Sequence, residues 1–164
     1  MIHYFAYGSC MDIDSFLKTV GEGNCEIAGA ATLKNYRLAF NLFSEYRQGG
    51  VADIVASPGD YVEGVLYRLK PEALPALDER EGVGTGRYRR MDITVEYNGT
   101  EIRTMTYTVV HKEKEELSPG NDYAQLIYNG AVRHLSGTYR KKLVNEWEQK
   151  FGLDHFKKLE ERRK

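Results

Sequence analysis

The 164-residue sequence predicts one α+β domain, in which a mixed, mainly antiparallel sheet is flanked by helices. Apolar and polar residues alternate through much of residues 25–69 and 88–110. Turn sequences separate most of these runs, and helical spacing returns after residue 120. Alternating βαβ units are thereby disfavoured, and hairpins this numerous are compatible with a barrel-like curl whose closure the pattern leaves open.

Taken in order, an apolar run in YFAYGSCM, Tyr4 to Met11, stops at Gly8 and Ser9, and a helix opens at Asp12. Ile13, Phe16, Leu17 and Val20 share one face of that helix, Asp12 is a good N-cap, and the cluster Gly21 to Asn24 ends it. From Cys25 to Phe43 the pattern is strand-like with a bend near Lys34 and Asn35, because Tyr36, Leu38 and Phe40 alternate with Arg37, Ala39 and Asn41. Ser44 to Gly50 reads as a polar loop. Val51 to Ala56 and Tyr61 to Leu69 flank the turn sequence SPGD, Ser57 to Asp60, which predicts a hairpin there.

Pro71 suits the first turn of a short helix that carries Leu74, Leu77 and Glu81 on one face and stops at Gly82. Tyr88 to Tyr97 and Glu101 to Val110 form a second hairpin around Asn98 and Gly99. The charged run Lys112 to Glu116 is expected to be a solvated loop, and its charge implies no binding partner. Tyr123, Leu126, Ile127 and Val132 to Leu135 supply a helix that Gly137 interrupts. A last helix, Thr138 to Phe151, turns Tyr139, Leu143, Trp147 and Phe151 inward. The domain is accordingly bounded at residues 1–152, and 153–164 is a charged tail, expected to extend or fray from Lys157 onward.

A formal net charge of −1, without a basic stripe, gives no reason to expect nucleic acid. No run reaches the length of a membrane span and no leader pattern opens the chain, so the expectation is a cytoplasmic protein without a membrane partner. Cys10 and Cys25 are too few for a disulfide scaffold and read as free thiols. His3, His111, His134 and His155 have no metal-ligand spacing. GVGTG, Gly82 to Gly86, follows a helix and lacks the lysine of a phosphate loop, and reads as a pocket rim.

Two places carry chemistry. The turn at Tyr7, Gly8 and Ser9 combines a glycine, which lets a ligand approach the main chain, with the N–H groups that precede a helix. In LDEREGV, Leu77 to Val83, most of the charge reads as a solvated turn with Arg80 paired to a neighbour. Glu81 differs. It sits against the negative end of the helix and shares a face with Leu74 and Leu77, and both conditions raise the pKa of a carboxyl group toward that of a neutral-pH acid or base. Cys10, near a helix start, reads as pocket wall rather than nucleophile.

YFAYGS at Tyr4 to Ser9, GGVADIVASPGD at Gly49 to Asp60, VEGVLYRL at Val62 to Leu69, and LDEREGV followed by GRY at Gly86 to Tyr88 together resemble the γ-glutamylcyclotransferase, or AIG2-like, family. SPGNDY, Ser118 to Tyr123, is similar to the segment before that family's C-terminal helices. The resemblance implies a barrel-like domain with flanking helices, no metal and no organic cofactor. It implies an intramolecular acyl transfer of the lyase class, in which a small-molecule γ-glutamyl amide closes to 5-oxoproline and releases an amine or amino acid. Glu81 stands where the family has its acid/base glutamate, Tyr7, Gly8 and Ser9 where it has the substrate-holding turn, and Tyr123 where a tyrosine lines the pocket. Cys10 occupies a substrate-binding position that is commonly asparagine. Activity on γ-glutamylamines or a specialised metabolite, an inactive small-ligand-binding module of the same fold, and a homodimeric assembly all stay open.

Overall fold

In the computed structural model, which describes residues 1–163, the chain opens with β1 (Ile2–Ala6), whose Tyr4, Phe5 and Ala6 are buried. A 3₁₀ turn over Ser9–Met11 leads into α1 (Ile13–Val20), where the Asp12 side chain accepts a hydrogen bond from the Ser15 amide at 3.0 Å, as expected of an N-cap. Two long strands follow, β2 (Cys25–Ser44) and β3 (Gly49–Leu69). After α2 (Leu74–Arg80) come β4 (Tyr88–Tyr97) and β5 (Thr100–Val109), joined through Asn98 and Gly99, both at positive φ. That is the hairpin chemistry the sequence announces.

The strands close into a barrel in the order β1-β3-β2-β4-β5. All neighbours are antiparallel except β1 and β5, which run parallel and meet at Tyr4 and Met105. Closure needs curvature, and β2 supplies it through irregularities at Ile27/Gly29, Lys34/Tyr36 and Phe40/Leu42. Tyr4, Phe16 and Tyr67 stack in the interior, with the Phe16 and Tyr67 rings 4.3 Å apart.

SPGD is not a hairpin. Residues on both sides of it pair with β2, Ala56 with Tyr36 and Tyr61 with Lys34, so the chain does not reverse there. Ser57–Asp60 instead bulges opposite Asn35, which adopts φ 67° and accepts the Gly59 amide through its Oδ1 at 3.0 Å. The reversal lies at residues 45–48, where the Gln48 amide reaches the Glu45 carbonyl at 3.2 Å. The loop expected over Ser44–Gly50 is therefore shorter. Gly49 and Gly50 already pair with Ser44 and Phe43, and a Cβ at Gly50 would overlap the Leu117 carbonyl.

The charged run Lys112–Glu116 is an exposed loop, as expected, and two of its side chains reach back to the barrel. Lys112 Nζ bonds Asp53 Oδ2 at 2.7 Å, and Asp53, fully buried, further accepts from Asn41, Thr108 and the Val109 amide. Glu116 accepts the Phe40 amide and pairs with Lys150.

Three helices cover one side of the barrel, α3 (Asn121–His134), α4 (Gly137–Phe151) and α5 (His155–Glu161). Ser136 caps α4, accepting the Tyr139 amide at 3.1 Å. Tyr139, Leu143 and Trp147 are buried as the helical period requires. The segment expected to extend or fray folds as α5, because Phe156 inserts beside Trp147 with ring centroids 5.2 Å apart. Glu160 accepts from Arg140 at 2.8 Å and from the Tyr128 hydroxyl at 2.7 Å, and the arginine holds its carboxyl below the usual range. No helix among the described residues is long and apolar enough to cross a membrane.

Candidate active site

The site assembles where β1 ends. Tyr7 Oη donates to the Tyr107 carbonyl at 2.7 Å and Tyr67 Oη to the Cys10 carbonyl at 2.7 Å, so two tyrosines pin the turn between them. A Cβ on Gly8 would stand 3.2 Å from the Ala52 methyl and 3.4 Å from the Tyr123 hydroxyl, which is why glycine suits the position. The opposite wall comes from β3. The Ala52 amide donates to Tyr123 Oη at 2.9 Å, and Tyr88 Oη donates to the Ala52 carbonyl at 2.6 Å. Because Tyr123 accepts from the main chain, its own proton remains for another partner. Burial pushes the phenols of Tyr7, Tyr88 and Tyr123 up, so all three are neutral donors at physiological pH.

Glu81 closes the recess from the end of α2. Its amide bonds the Leu77 carbonyl at 3.0 Å, and Gly82, at φ 65°, turns the chain away in the left-handed conformation that ends helices. The carboxyl faces Cys10, whose Sγ donates to Oε1 at 3.9 Å. Burial pushes the Glu81 pKa up to about 7, against the opposing pull of Arg80, Arg47 and the thiol. The raised value expected from the sequence is present, with burial as its main cause. The same burial lifts the Cys10 thiol to about 11, which keeps it protonated and a poor nucleophile.

Arg80, expected to pair with a neighbour in a solvated turn, turns instead toward α1 and the Ser9 turn. Its guanidinium donates to the Ser15 carbonyl, Thr19 Oγ1, Ser9 Oγ and Ser15 Oγ at 2.8–3.2 Å, so it ties α2 to α1 and to the turn. It forms no ion pair among the described residues. Arg47, from the β2–β3 reversal, lies over the Tyr123 ring at 5.5 Å.

These groups line two connected spaces. An inner recess of about 30 Å³ is bounded by Tyr7, Gly8, Ser9, Cys10, Glu81 and Tyr123, so it unites every site residue singled out from the sequence, together with Tyr4, Tyr88 and Tyr107. It shares Ser9, Glu81, Tyr88 and Tyr123 with an outer cavity of about 630 Å³. Arg80 and Arg47 lie in the outer space. Gly82 to Gly86, expected to form the rim, lie outside both linings, and Glu81, Arg87 and Tyr88 on either side supply the wall instead. None of the histidines reaches either space, and no group of three or more His, Cys, Asp or Glu among the described residues is placed to hold a metal ion.

Tyr88 and Tyr107 are strand tyrosines that the sequence allows as cavity wall but favours as core, and Arg47 falls in a polar loop. Only Arg80 left a usable signal, standing three residues after the buried Leu77 and one before Glu81.

Fold and site together define a small closed-barrel protein in which a carboxyl group tuned near neutrality faces a glycine turn across a tyrosine-walled recess. Residues 4–125 match the model of the γ-glutamyl cyclotransferase, AIG2-like family, and the chain belongs to it. It is 40% identical over 144 residues to YkqA of Bacillus subtilis (strain 168), a match that spans 87% of this chain and 50% of that protein. With the γ-glutamylcyclotransferase of Mus musculus it is 35% identical over 147 residues, 85% of this chain and 76% of the relative. A solved γ-glutamyl cyclotransferase structure superposes with a TM-score of 0.81 at 30% identity, covering 87% of this chain and 85% of the other.

Proposed function

We propose that this protein cyclises γ-glutamyl amides to 5-oxoproline, with Glu81 moving the protons. The observation that carries the reading is the placement of a carboxyl group with a pKa of about 7 in the same recess as the Tyr7–Cys10 turn. The α-amine of a γ-glutamyl compound is an ammonium at neutral pH, with a pKa of about 8 for an ordinary α-amine. Transfer of its proton to an ordinary carboxylate is uphill by about 5 kcal/mol, whereas transfer to a group at about 7 costs only about 1.4 kcal/mol. Glu81 takes that proton, and the freed amine attacks the γ-carbonyl carbon of the same molecule. The new C–N bond closes the five-membered ring. Collapse breaks the original C–N bond as Glu81 returns the first proton to the departing nitrogen, and the second proton shed by the ring nitrogen follows by the same carboxylate, so that the lactam keeps one N–H and the amine leaves as an ammonium. Nothing else is consumed, which makes the reaction an intramolecular acyl transfer with loss of an amine, a lyase step.

Because nucleophile and electrophile share one molecule, the protein gains most by holding the folded conformer in which they meet. Arg80, fixed by neutral oxygens and lacking a carboxylate partner among the described residues, supplies the charge for the substrate α-carboxylate. The turn N–H groups and the free Tyr123 proton are the donors for the γ-carbonyl oxygen as it becomes an oxyanion. Tyr7, Gly8, Ser9 and Cys10 line the substrate head. The test is incubation with a panel of γ-glutamyl amides and detection of 5-oxoproline, with Glu81→Gln as control. Turnover by the native chain, lost by at least about 10²-fold in the variant, is expected. Full activity in Glu81→Gln rules the reading out.

A further inference from the structure

The outer cavity is larger and more basic than the γ-glutamyl head requires. At roughly 30 Å³ per water-sized group, its volume of about 630 Å³ holds on the order of twenty non-hydrogen atoms, about twice the number in a γ-glutamyl amide head. The remaining space belongs to the leaving group. Its walls carry Lys18 from α1, Arg47 from the β2–β3 reversal and Arg87 after α2, in addition to Arg80. Lys18, Arg47 and Arg87 line the outer cavity and not the inner recess that holds Glu81's turn partners, which sets them outward of the reacting bond. Glu45 is the only acid that faces them from the outer wall, Glu81 lying at the floor shared with the recess. Lys18, Arg47 and Arg87 form no ion pair among the described residues, while Lys34, Arg90, Arg140 and Lys142 elsewhere on this chain do.

Such clustering is unexpected in a chain of net charge −1, because like charges gathered in a concave surface repel and focus positive potential on whatever enters. A neutral amine leaving group leaves that potential unanswered. An amino acid brings one carboxylate, and an acidic amino acid brings two, separated by a short chain that can reach cations on different walls. We infer that the leaving group is an acidic amino acid, so that the favoured substrate is a γ-glutamyl dipeptide ending in a dicarboxylate, held by Lys18, Arg47 and Arg87. With Arg80 on the α-carboxylate of the head, the carboxylates of such a dipeptide are all opposed by cations in the outer cavity. The substrate's own nitrogen at the cleaved bond stays at Glu81, so the chemistry is unchanged and only binding selects.

The inference rests on the cyclotransferase reading, and the experiment separates the two. kcat/KM for 5-oxoproline release is measured with γ-glutamyl-glutamate, γ-glutamyl-alanine and γ-glutamyl-methylamide, at low and high salt. Each partly exposed carboxylate–cation contact is worth up to about fivefold, and the acidic dipeptide adds one carboxylate to those the alanine one carries, so it is expected to exceed the alanine one by roughly 2- to 5-fold at low salt. The preference shrinks at high ionic strength. In the double variant Lys18→Gln/Arg87→Gln, both positions being exposed, the ratio of acidic to alanine kcat/KM falls toward one, Arg47 alone remaining to hold the added carboxylate. Equal or better turnover of the alanine dipeptide by the native chain overturns the inference alone, as does a ratio unmoved in the double variant. Absence of 5-oxoproline from all three substrates overturns the cyclotransferase reading and this inference with it.

Discussion

Glu81 links function to stability in a way that can be measured without any substrate. Burial carries its pKa from an ordinary 4.5 to about 7, so keeping it ionised inside the fold costs about 3 kcal/mol. Below pH 4.5 the group is protonated in folded and unfolded chains alike and has no effect. Between pH 4.5 and 7 the unfolded chain loses the proton while the folded chain retains it, so stability falls as pH rises, and above about 7 the loss is complete. Replacement by glutamine removes the charge and keeps a similar shape. Glu81→Gln is therefore expected to match the native chain near pH 4 and to exceed it by about 3 kcal/mol at pH 8, roughly 6–12 °C in Tm for a chain of this size. Urea unfolding of both proteins at the two pH values measures the difference. A stability gap that is the same at pH 4 and pH 8 refutes the account of a carboxyl group held ionisable against its surroundings.

Arg80→Met removes the guanidinium that Ser9, Ser15 and Thr19 surround, and kcat/KM for γ-glutamyl amides is expected to drop by about 10- to 100-fold, mostly through KM. Steady-state kinetics with circular dichroism as the folding control checks this. Phe156→Ala opens a void beside Trp147 and should cost about 3–5 kcal/mol in denaturant unfolding, whereas a freely fraying tail predicts almost no effect. As the proton acceptor, Glu81 must start ionised, so kcat/KM should decline as pH falls below about 7.

Local signals carried much of the fold. The N-cap at Asp12, the Asn98–Gly99 hairpin and the helix stop at Gly82 depend on neighbours in sequence and were legible from it. SPGD was misleading for the same reason. A proline–glycine pair looks alike in a reversal and in a bulge, and what separates them is that β2 continues past it as partner on both sides, a fact of register rather than of composition. The run Lys112–Glu116 is as exposed as its charge suggests, but the bond from Lys112 to buried Asp53 was hidden because Asp53 lies on another strand. Likewise α5 depended on Trp147 offering a surface to Phe156. In the site, Glu81 and the Tyr7–Cys10 turn announced themselves through helix-end charge and glycine. Arg47, Tyr88 and Tyr107 reach the cavity only because the barrel closes, and no local pattern encodes that.

The central claim is that Glu81 exchanges protons with a cyclising γ-glutamyl substrate, and the pH dependence of 5-oxoproline release tests it most directly. The native chain should show kcat/KM rising to half its plateau near pH 7, and Glu81→Gln should release at least about 10²-fold less product across the range. A native profile that is flat through pH 7, or a glutamine variant that follows the native curve, contradicts it.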